Sequence, residues 1–393
     1  MSFEIALSGI NAVNNQLGSI SDNIANSATY GFKSGRVTFA SAYAGSQVMG
    51  VNANGNSQNI GRNGGLVNTG RALDAAIDGR GFFVSKSVAG AMTYSRVGIF
   101  NTDKDGYLVD GYSGRIQGYA KSDTGGQGAL GDIQIPTGNI PAKPSDSLQY
   151  TGNMSAGWAV QTIPFDKNTS QSFNHSNMSP VFDSLGNKHN LMQYFCKSAD
   201  STVTVHYVLD GQTLATTTDL KFDTNGKLTS PTTTVALDLG TPAGASPLKL
   251  ALDYSGTTQF AGEPSTSRNA SNGYPPGART GVSLGENGEV IVSYSNDQKQ
   301  VVAQLAIANF ANEGALSAAS QTSWQESTGS GAALLSVAGS NMAGKLATSS
   351  LEQSNVDVTS ELVTLMTAQR NYQANTKVIS TENQVMQALM QAV

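Results

Sequence analysis

Four short segments of this chain match motifs that bind nucleotides or metals or carry out catalysis, and their surroundings decide how each is interpreted. The first, Gly126 to Gly131 (GQGALG), has the glycine spacing of a dinucleotide-binding turn. In that turn the pyrophosphate is bound at the N-terminus of the helix that follows. Here the next residues, Asp132 to Pro136, show the pattern of a strand. The segment is therefore interpreted as β-structure and not as a cofactor site.

The second match, Gly281 to Gly285 (GVSLG), has the spacing of the turn that presents a nucleophilic serine in α/β-hydrolases. In those enzymes the catalytic histidine follows the serine along the chain. All three histidines of this sequence, His175, His189 and His206, precede Ser283. Because the proton acceptor is missing from its place, a turn-rich β segment is the better interpretation.

The other two matches lack the residue that would bind the metal. Gly339 to Leu346 (GSNMAGKL) has the spacing of a phosphate-binding loop, but its last position is leucine where Ser or Thr binds Mg²⁺. Asn101 to Tyr112 begins like a calcium loop, yet tyrosine stands at the twelfth position, where a bidentate glutamate is needed. The histidines are not spaced as zinc ligands. The sequence thus predicts no catalytic residue, no metal site and no cofactor.

Composition argues against a nucleic-acid-binding protein. The 393 residues carry a net charge of -5 and contain no run of Lys or Arg, whereas phosphate binding needs a clustered basic surface. Charged residues make up only 13 %, compared with about 25 % in typical domains. The single cysteine, Cys196, ends an apolar run that begins at Leu191, which predicts a buried structural thiol.

The C-terminal segment carries a strict seven-residue apolar repeat. On a helix this stretch would be about 54 Å long, which is more than one small globular core covers. A repeat of seven predicts a left-handed supercoil with a partner helix. The repeat consists of Val358, Leu365, Tyr372, Ile379, Met386 and Val393.

The positions four residues after the repeat are mixed, since Leu362 and Met390 are apolar but Gln369, Thr376 and Asn383 are not. A simple leucine zipper is therefore excluded, and one defined packing arrangement is favoured. The alternative is an ordinary amphipathic helix that packs only on its own domain. Asp357 is the expected N-cap, and Glu361 adds negative charge in the first turn.

The N-terminal segment predicts a second amphipathic helix, because apolar residues recur at steps of three and four. Its polar side is rich in neutral amides, and only Glu4 and Asp22 are charged before Lys33. Neutral amides are cheaper to bury than charges, so both sides of this helix are expected to be covered in an assembly. The two terminal helices are expected to pack together. The apolar residues of the N-terminal helix are Phe3, Leu7, Ile10, Val13, Leu17, Ile20 and Ile24.

No signal peptide is predicted at the N-terminus, because a basic n-region, a continuous apolar h-region and a small-residue cleavage site are all missing. No stretch reaches the roughly 18 uninterrupted apolar residues of a membrane span. Export by the general secretory route and a membrane span are therefore not expected.

The middle of the chain is predicted to be mainly β. Four hairpin signals join short strands rich in Val, Ile and Tyr: Asp105-Gly106, Asp210-Gly211, Asn225-Gly226 and Asn287-Gly288. Pro and Gly clusters indicate boundaries near Pro136 to Pro144 and near Gly273 to Gly277. The segment from about 146 to 272 is therefore expected to be a separate β domain inserted into another.

Both ends of the chain resemble the signatures of the bacterial flagellar rod and hook protein family. The N-terminal signature is Asn23 to Lys33 (NIANSATYGFK), and its partner is Ala368 to Asn375 (AQRNYQAN), preceded by Asn355-Val356-Asp357. The residues that carry the resemblance most directly are Asn23, Asn26, Gly31, Phe32, Lys33, Gln369, Arg370 and Tyr372. Tyr94-Ser95-Arg96 is similar to an internal family segment as well.

This resemblance implies a mainly β protein with terminal α-helices, in which the helices form a coiled-coil-like inner domain below two outer β domains, one inserted in the other. The expected parts are a helical inner domain (1–33 and 357–393), linking segments (34–70 and 336–356), an inner β domain (71–145 and 273–335) and an inserted outer β domain (146–272). The apolar residues of both helices, together with Leu362, are the expected polymerisation interface.

The resemblance also implies a structural subunit of the flagellar hook, which polymerises into a flexible, curved, extracellular tube that transmits torque from the rod to the filament. The implied partners are further copies of the chain, the distal rod, the hook cap, the hook-filament junction and the type III export apparatus. A distal rod subunit of the same family is the alternative. A secreted β-rich adhesin and a secreted enzyme are the alternatives from other classes.

Overall fold

The computed structural model describes residues 2–44, 47–121, 127–340 and 342–392. A long helix stands at each end of the chain, α1 (Ser2–Ala25) and α2 (Val358–Ala392), and the regular secondary structure described between them is strand apart from two short 3-10 helices. The predicted fold class, mainly β with terminal helices, is confirmed. Asp357 caps α2 as expected, since its Oδ1 accepts the backbone N–H groups of Thr359 at 3.0 Å and Ser360 at 3.2 Å.

The strands are numbered in chain order. The first ten are β1 (Gly35–Ala44), β2 (Gln47–Gln58), β3 (Leu66–Asn68), β4 (Ala75–Asp78), β5 (Phe82–Lys86), β6 (Met92–Ser95), β7 (Asn101–Thr102), β8 (Leu108–Val109), β9 (Arg115–Lys121) and β10 (Gln127–Asp132). The next nine are β11 (Ser147–Asn153), β12 (His175–Phe182), β13 (Lys188–Ala199), β14 (Thr202–Leu209), β15 (Gln212–Phe222), β16 (Leu228–Ser230), β17 (Val235–Asp238), β18 (Lys249–Asp253) and β19 (Ser265–Ser271). The last eight are β20 (Arg279–Leu284), β21 (Glu289–Tyr294), β22 (Lys299–Asn309), β23 (Ser317–Ala319), β24 (Ser323–Gln325), β25 (Leu334–Val337), β26 (Lys345–Thr348) and β27 (Ser350–Glu352). Two short 3-10 helices lie at Ser170–Ser172 and Glu313–Ala315.

The chain divides into two compact units. The first unit comprises Met1–Thr137, Gly281–Ser293 and Lys299–Val393, and the second comprises Gly138–Thr280 and Tyr294–Gln298. The second unit thus contains all of the segment 146–272 that was expected to be an inserted domain. Each of the four hairpin signals lies at a turn between consecutive strands, which confirms those predictions.

The first unit combines α1 and α2 with one large sheet and several small ladders. The main path of the large sheet runs β20-β21-β22-β9-β5-β6-β24-β23, and its core holds Phe82, Tyr94, Phe310 and Trp324 in edge-to-face contacts. Near the helices, β3 pairs with β27 and β4 pairs with β26. The ladder of β3 and β27 joins the two segments, 34–70 and 336–356, that were expected to link the helices to the β domains, and the ladder of β4 and β26 joins the second of them to residues 75–78.

A long hairpin of β1 and β2 lies along α1. Its register is antiparallel, and the backbone N–H of Val51 donates to Ser8 Oγ of α1 at 3.2 Å. Arg36, the second residue of β1, is exposed, and the sequence contains no further charged residue before Arg62, so the rest of the hairpin consists of neutral residues. Phe39, Tyr43 and Met49 remain 43 %, 63 % and 45 % exposed.

The second unit consists of two sheets that share one apolar core. One sheet has the order β17-β18-β11-β19 and the other β12-β13-β14-β15-β16. A chain of hydrogen bonds crosses this core, from Tyr207 to Tyr254 (3.0 Å), to Gln193 (2.7 Å) and to Ser179 (3.0 Å). Ser179 Oγ then donates to Asn269 at 2.6 Å. Because these polar groups are buried, their pairing fixes how the two sheets match.

Cys196 is buried beneath the short segment that precedes β12, and its Sγ donates to the carbonyl of Ser172 at 3.3 Å. Burial raises the pKa of this thiol to about 11, so the thiolate is scarce at neutral pH. The predicted buried structural cysteine is confirmed.

Candidate assembly surface

The terminal helices pack side by side in antiparallel directions. Near one end of the pair, Asn23 Nδ2 donates to Glu361 Oε1 at 3.0 Å. Near the other, a β-carbon on Gly9 would lie 2.9 Å from Nδ2 of Asn375. The two contacts are fourteen residues apart on each helix, from 23 back to 9 on α1 and from 361 forward to 375 on α2, so the helices run in opposite directions. The absence of a side chain at Gly9 lets α2 come close at this level.

The two helices bury a short apolar core within one chain. Val13, Ile20 and Ala368 are buried, and Leu17, Ile24 and Leu365 pack against them. Ala368 is 0 % exposed, which shows that a small residue is needed where α2 lies against α1. The expectation that the two ends of the chain pack together is confirmed by these contacts.

The apolar residues of α1 that were expected at an interface divide into two groups. Those from Ile10 onwards are buried or half-buried, whereas the two nearest the N-terminus are exposed. Val13 and Ile20 are buried, Ile10, Leu17 and Ile24 are half-buried, and Phe3 and Leu7 are 40 % and 38 % exposed.

The apolar repeat of α2 is covered at only two of its positions within the chain. Leu365 and Ile379 are half-buried, while Val358, Tyr372 and Met386 are exposed by 38 %, 37 % and 60 %; Leu362, four residues after Val358, is 47 % exposed. Val393 lies outside the described residues. The repeat therefore points partly at α1 and partly away from its own chain.

The C-terminal part of α2 extends past the start of α1. The helix has 35 residues, about 52 Å, whereas α1 has 24 residues, about 36 Å. In the observed register, Ser2 falls opposite Glu382, so residues 383–392 form an overhang without α1 beside them. Apolar side chains on this overhang are open: Val385, Met386, Leu389 and Met390 are 52 %, 60 %, 60 % and 80 % exposed.

The N-terminal signature forms the junction that follows α1. Asn23 is buried, its Oδ1 accepts the backbone N–H of Gly35 at 2.7 Å, and its Nδ2 donates to the carbonyl of the same residue at 2.8 Å. Asn26 bonds Asp22 and Thr29 at the last turn of the helix. Gly31 has a φ of 69° and lies against Val97, so a side chain is disfavoured there by both conformation and space.

Lys33 enters a buried cluster of charges. Its Nζ lies 2.8 Å from Glu352 Oε1 and donates to the carbonyl of Arg62 at 2.7 Å. The other carboxylate oxygen, Glu352 Oε2, lies 3.3 Å from the guanidinium of Arg96, which also donates to the carbonyls of Ile77 and Gly79. Burial lowers the pKa of Lys33, and the charge of Glu352 opposes that effect. Three parts of the first unit are thus joined at one carboxylate.

A second polar residue, Asn355, joins the segment before α2 to the residues that flank the hairpin of β1 and β2. Its Oδ1 accepts the backbone N–H of Ser34 at 2.7 Å, and its Nδ2 donates to the carbonyls of Asn59 at 2.9 Å and Arg62 at 2.8 Å. Its own backbone N–H donates to the carbonyl of Phe32 at 3.3 Å. The segment before α2 is therefore fixed to the segment after α1.

The C-terminal signature has a different position. Gln369 and Arg370 are exposed, and Tyr372 is 37 % exposed, although all three lie on the helix that packs on α1. The N-terminal signature residues are held by contacts within the chain, and these three are open to another molecule. The two signatures therefore have separate structural roles.

Sequence reasoning missed the central group of the junction. Glu352 was not singled out, and neither Arg96 nor Asn355 was assigned a role, although both lie in segments that resemble the family. The sequence signal for Glu352 is its position directly after the apolar Leu351: the structure buries both residues in the short strand Ser350–Glu352. Ala368 was likewise missed, since a small residue gives no apolar peak in a seven-residue pattern.

The four motif-like segments lie in β-structure or turns. The described part of the dinucleotide match forms β10, the serine match lies in β20, and the calcium match forms the turn between β7 and β8; Gly126 and Asn341 lie outside the described residues. Over residues 2–44, 47–121, 127–340 and 342–392, no group of three His, Cys, Asp or Glu side chains is placed to hold a metal ion. In the same ranges, neither long helix has the apolar character required to cross a bilayer.

Comparison with known protein families places the chain among the flagellar axial proteins. Residues 76–156 match the model described as the flagellar hook protein FlgE/F/G D1 domain, and residues 148–274 match the flagellar basal body protein FlaE D2 domain. Residues 347–392 match the flagellar basal body rod FlgEFG protein C-terminal model. Together these matches cover residues 76–274 and the C-terminal segment 347–392.

Full-length relatives give the family. The chain is 37 % identical to the flagellar hook protein FlgE of Escherichia coli and 39 % identical to that of Salmonella typhimurium, over 99 % of each chain. The fold is similar to the crystal structure of the Helicobacter pylori flagellar hook protein FlgE2, with a TM-score of 0.53 and 14 % identity over 71 % of this chain and 98 % of that one. The chain belongs to the flagellar hook protein family and is a structural subunit of the hook.

Proposed function

We propose that this chain polymerises through its terminal helices into the wall of a flexible curved tube. The observation that carries the proposal is the overhang of α2, residues 383–392, whose Val385, Met386, Leu389 and Met390 are all more than half exposed. Fully burying a side chain of this size contributes about 1.5–3 kcal/mol. Several such side chains repeated in every subunit supply a strong driving force for association.

The open positions of the repeat extend the proposed contact surface along the helix pair. Leu362 and Tyr372 on α2, and Phe3 and Leu7 on α1, present apolar area that one chain leaves uncovered. Gln369 and Arg370 lie among them on α2 and supply polar groups that can fix the register between subunits. The predicted interface residues thus separate into an intrachain seam, centred on Ile20 and Leu365, and an outward surface.

Bending without rupture is the second part of the proposal. The hairpin of β1 and β2 and helix α1 carry few charges, namely Arg36, Glu4 and Asp22, so few strong ion pairs can form between subunits through them. Contacts of this kind can shift by small distances without breaking a buried charge pair, which costs several kcal/mol. Such surfaces suit a tube that curves while it turns and carries torque from the rod to the filament.

Family membership supports the proposed partners and route. We propose that the subunit contacts the distal rod, the hook cap and the hook-filament junction. We also propose that it is exported in an unfolded state through the flagellar type III apparatus. The two units each bury their own core, so each can fold after export without the other's sheets.

The experiment that tests polymerisation through the helices compares helix content with assembly state. Because the apolar side chains of the overhang are exposed in the part of the chain that the structure describes, we expect α1 and α2 to be only partly ordered in dilute monomer and to gain helix on assembly. Circular dichroism and sedimentation, measured on the same samples over a range of concentrations, should change together. Full helix content in samples that sediment only as monomer would contradict the coupling of helix ordering to assembly. A chain that sediments as monomer at every concentration would contradict the proposed function.

A further inference from the structure

His189, near the start of β13, lies between two carboxylates of the second unit. Its Nδ1 is 2.6 Å from Asp210 Oδ2, and its Nε2 is 3.4 Å from Asp183 Oδ2. A neutral imidazole has one N–H and can donate to only one of these oxygens. Both contacts are satisfied at once only by the imidazolium ion, which donates from each nitrogen.

Each carboxylate also holds a turn. Asp183 Oδ1 accepts the backbone N–H groups of Leu185 at 2.9 Å and Asn187 at 2.8 Å, which closes the turn between β12 and β13. Asp210 Oδ1 accepts the backbone N–H of Asn190 at 2.9 Å beside the tight turn between β14 and β15. His189 therefore connects two neighbouring hairpin turns at one end of the five-stranded sheet.

That end of the sheet lies against the segments through which the chain enters and leaves the second unit. A β-carbon on Gly186, in the turn that Asp183 holds, would lie 3.0 Å from Cβ of Ala142 and 2.5 Å from Cδ of Pro276. Ala142 belongs to the incoming segment and Pro276 to the outgoing one. The backbone N–H of Lys143 and the carbonyl of Tyr274 pair these segments at 3.0 Å.

We propose that His189 is a proton-controlled clamp: as an imidazolium it ties the turns at Asp183 and Asp210 together, and loss of its proton loosens the end of the second unit where the chain enters and leaves. The ionisable groups around the ring are Asp183 on the β12–β13 turn, Asp210 on the β14–β15 turn, Lys188 beside it in β13, and Lys167, whose ammonium donates to the carbonyl of Gly211. The two carboxylates contact the ring directly, and their attraction outweighs the repulsion from the lysines. This inference concerns the single chain and does not depend on polymerisation.

The negative charges of Asp183 and Asp210 favour the imidazolium form of His189, as its two contacts do. Burial by itself lowers the pKa of His189, but hydrogen bonds to Asp210 and Asp183 and their negative charges outweigh burial and raise it. The folded value lies above the unfolded value of about 6.5. The clamp therefore contributes its full stability below about pH 6.5, and this contribution is lost as pH rises through the raised pKa of the folded state.

The chain contains a matched control. His206 of β14 stacks on Phe165 with ring centroids 4.2 Å apart, and burial lowers its pKa in spite of the nearby charge of Asp219. The effect of His206 on stability has the opposite pH dependence to that of His189: the contribution of His206 is present above about pH 6.5 and is lost as pH falls. His189→Gln and His206→Gln therefore remove titrations of opposite direction from the same unit.

The test is an NMR titration of the full chain with labelled histidine, combined with amide exchange. We expect His189 to titrate above His206. We also expect the protection factors of the amides of Leu185, Asn187 and Asn190 to fall as His189 loses its proton, by roughly tenfold for each unit by which folding raises its pKa. In His189→Gln this protection should already be low and independent of pH, while His206→Gln should leave the fall intact. His189 titrating at or below His206, or an unchanged pH dependence in His189→Gln, would overturn the clamp; the titration of the unmodified chain decides even if a variant folds poorly.

Discussion

The ammonium of Lys33 lies 2.8 Å from the carboxylate of Glu352, and both side chains are almost completely buried, at 0 % and 1 % exposure. The two residues are 319 positions apart in the sequence. Arg96 shares the same carboxylate from the β region of the first unit. The pair thus holds together the segment that leaves α1, the segment that leads into α2 and the sheet between them.

Glu352→Gln should destabilise the first unit strongly. The substitution leaves two buried cations, Lys33 and Arg96, without their shared anion, and breaking a buried ion pair costs about 3–5 kcal/mol. Urea unfolding can be followed by fluorescence of Trp324 in the core of this unit, in a Trp158→Phe background that removes the other tryptophan.

The control for that measurement is Asp105→Asn. It removes an exposed ion pair, with Lys104 88 % and Asp105 54 % exposed, and it keeps a residue pair that suits the hairpin turn. Exposed pairs contribute about 0–1 kcal/mol, so a small shift is expected. Equal shifts for the two variants would show that the buried cluster does not hold the unit together.

Leu365→Asp and Leu362→Asp should separate the intrachain seam from the outward surface. Leu365 packs against the core of α1 and α2, so a carboxylate there should cost about 2–4 kcal/mol and lower the helical signal of the monomer. Leu362 is 47 % exposed, and its substitution should change monomer stability by no more than about 0.5 kcal/mol.

Thermal melts by circular dichroism distinguish the two helix variants, and sedimentation then reports assembly. Leu362→Asp is expected to fail in assembly with its helix pair unchanged. If both variants melt alike, the division of the repeat into an inner and an outward part is wrong.

Removal of residues 146–272, with Ser145 joined to Gly273, should leave the first unit folded and able to polymerise. The cut ends already touch, since Gly273 packs against Ser145 and Asn272 Oδ1 accepts the N–H of Asp146 at 3.1 Å. The paired segments around Ile140 and Gly277 stay in place. Electron micrographs are expected to show tubes of altered curvature. If the variant does not assemble although its first unit resists proteolysis, the removed segment contains essential contacts between subunits.

Local features of the fold were predictable because their causes are local. The N-cap at Asp357, the hairpin turns such as Asn225-Gly226, and the amphipathic character of α1 all depend on residues within a few positions of one another. The family resemblance supplied the order of the parts. These features did not require knowledge of which distant segments meet.

Long-range partners could not be predicted in the same way. A lone Lys33 is compatible with many surroundings, and nothing near it in sequence indicates Glu352 as its partner. From sequence the hairpin of β1 and β2 was interpreted as a linking segment, whereas in the structure it lies against α1. The seven-residue repeat was assigned one interface, whereas Leu365 faces α1 and Met386 is exposed on the overhang.

The central claim is that the overhang of α2 makes the contacts between subunits. The most direct measurement is electron microscopy of hooks on cells that produce Met386→Asp or, as the matched control, Met386→Leu. Met386 is 60 % exposed, so neither change should alter the monomer by more than about 0.5 kcal/mol, whereas a carboxylate buried between subunits costs several kcal/mol at every copy. We expect normal curved tubes with leucine and none with aspartate. The aspartate variant should still be exported, so we expect to find it in the medium. Normal tubes with aspartate would contradict the account.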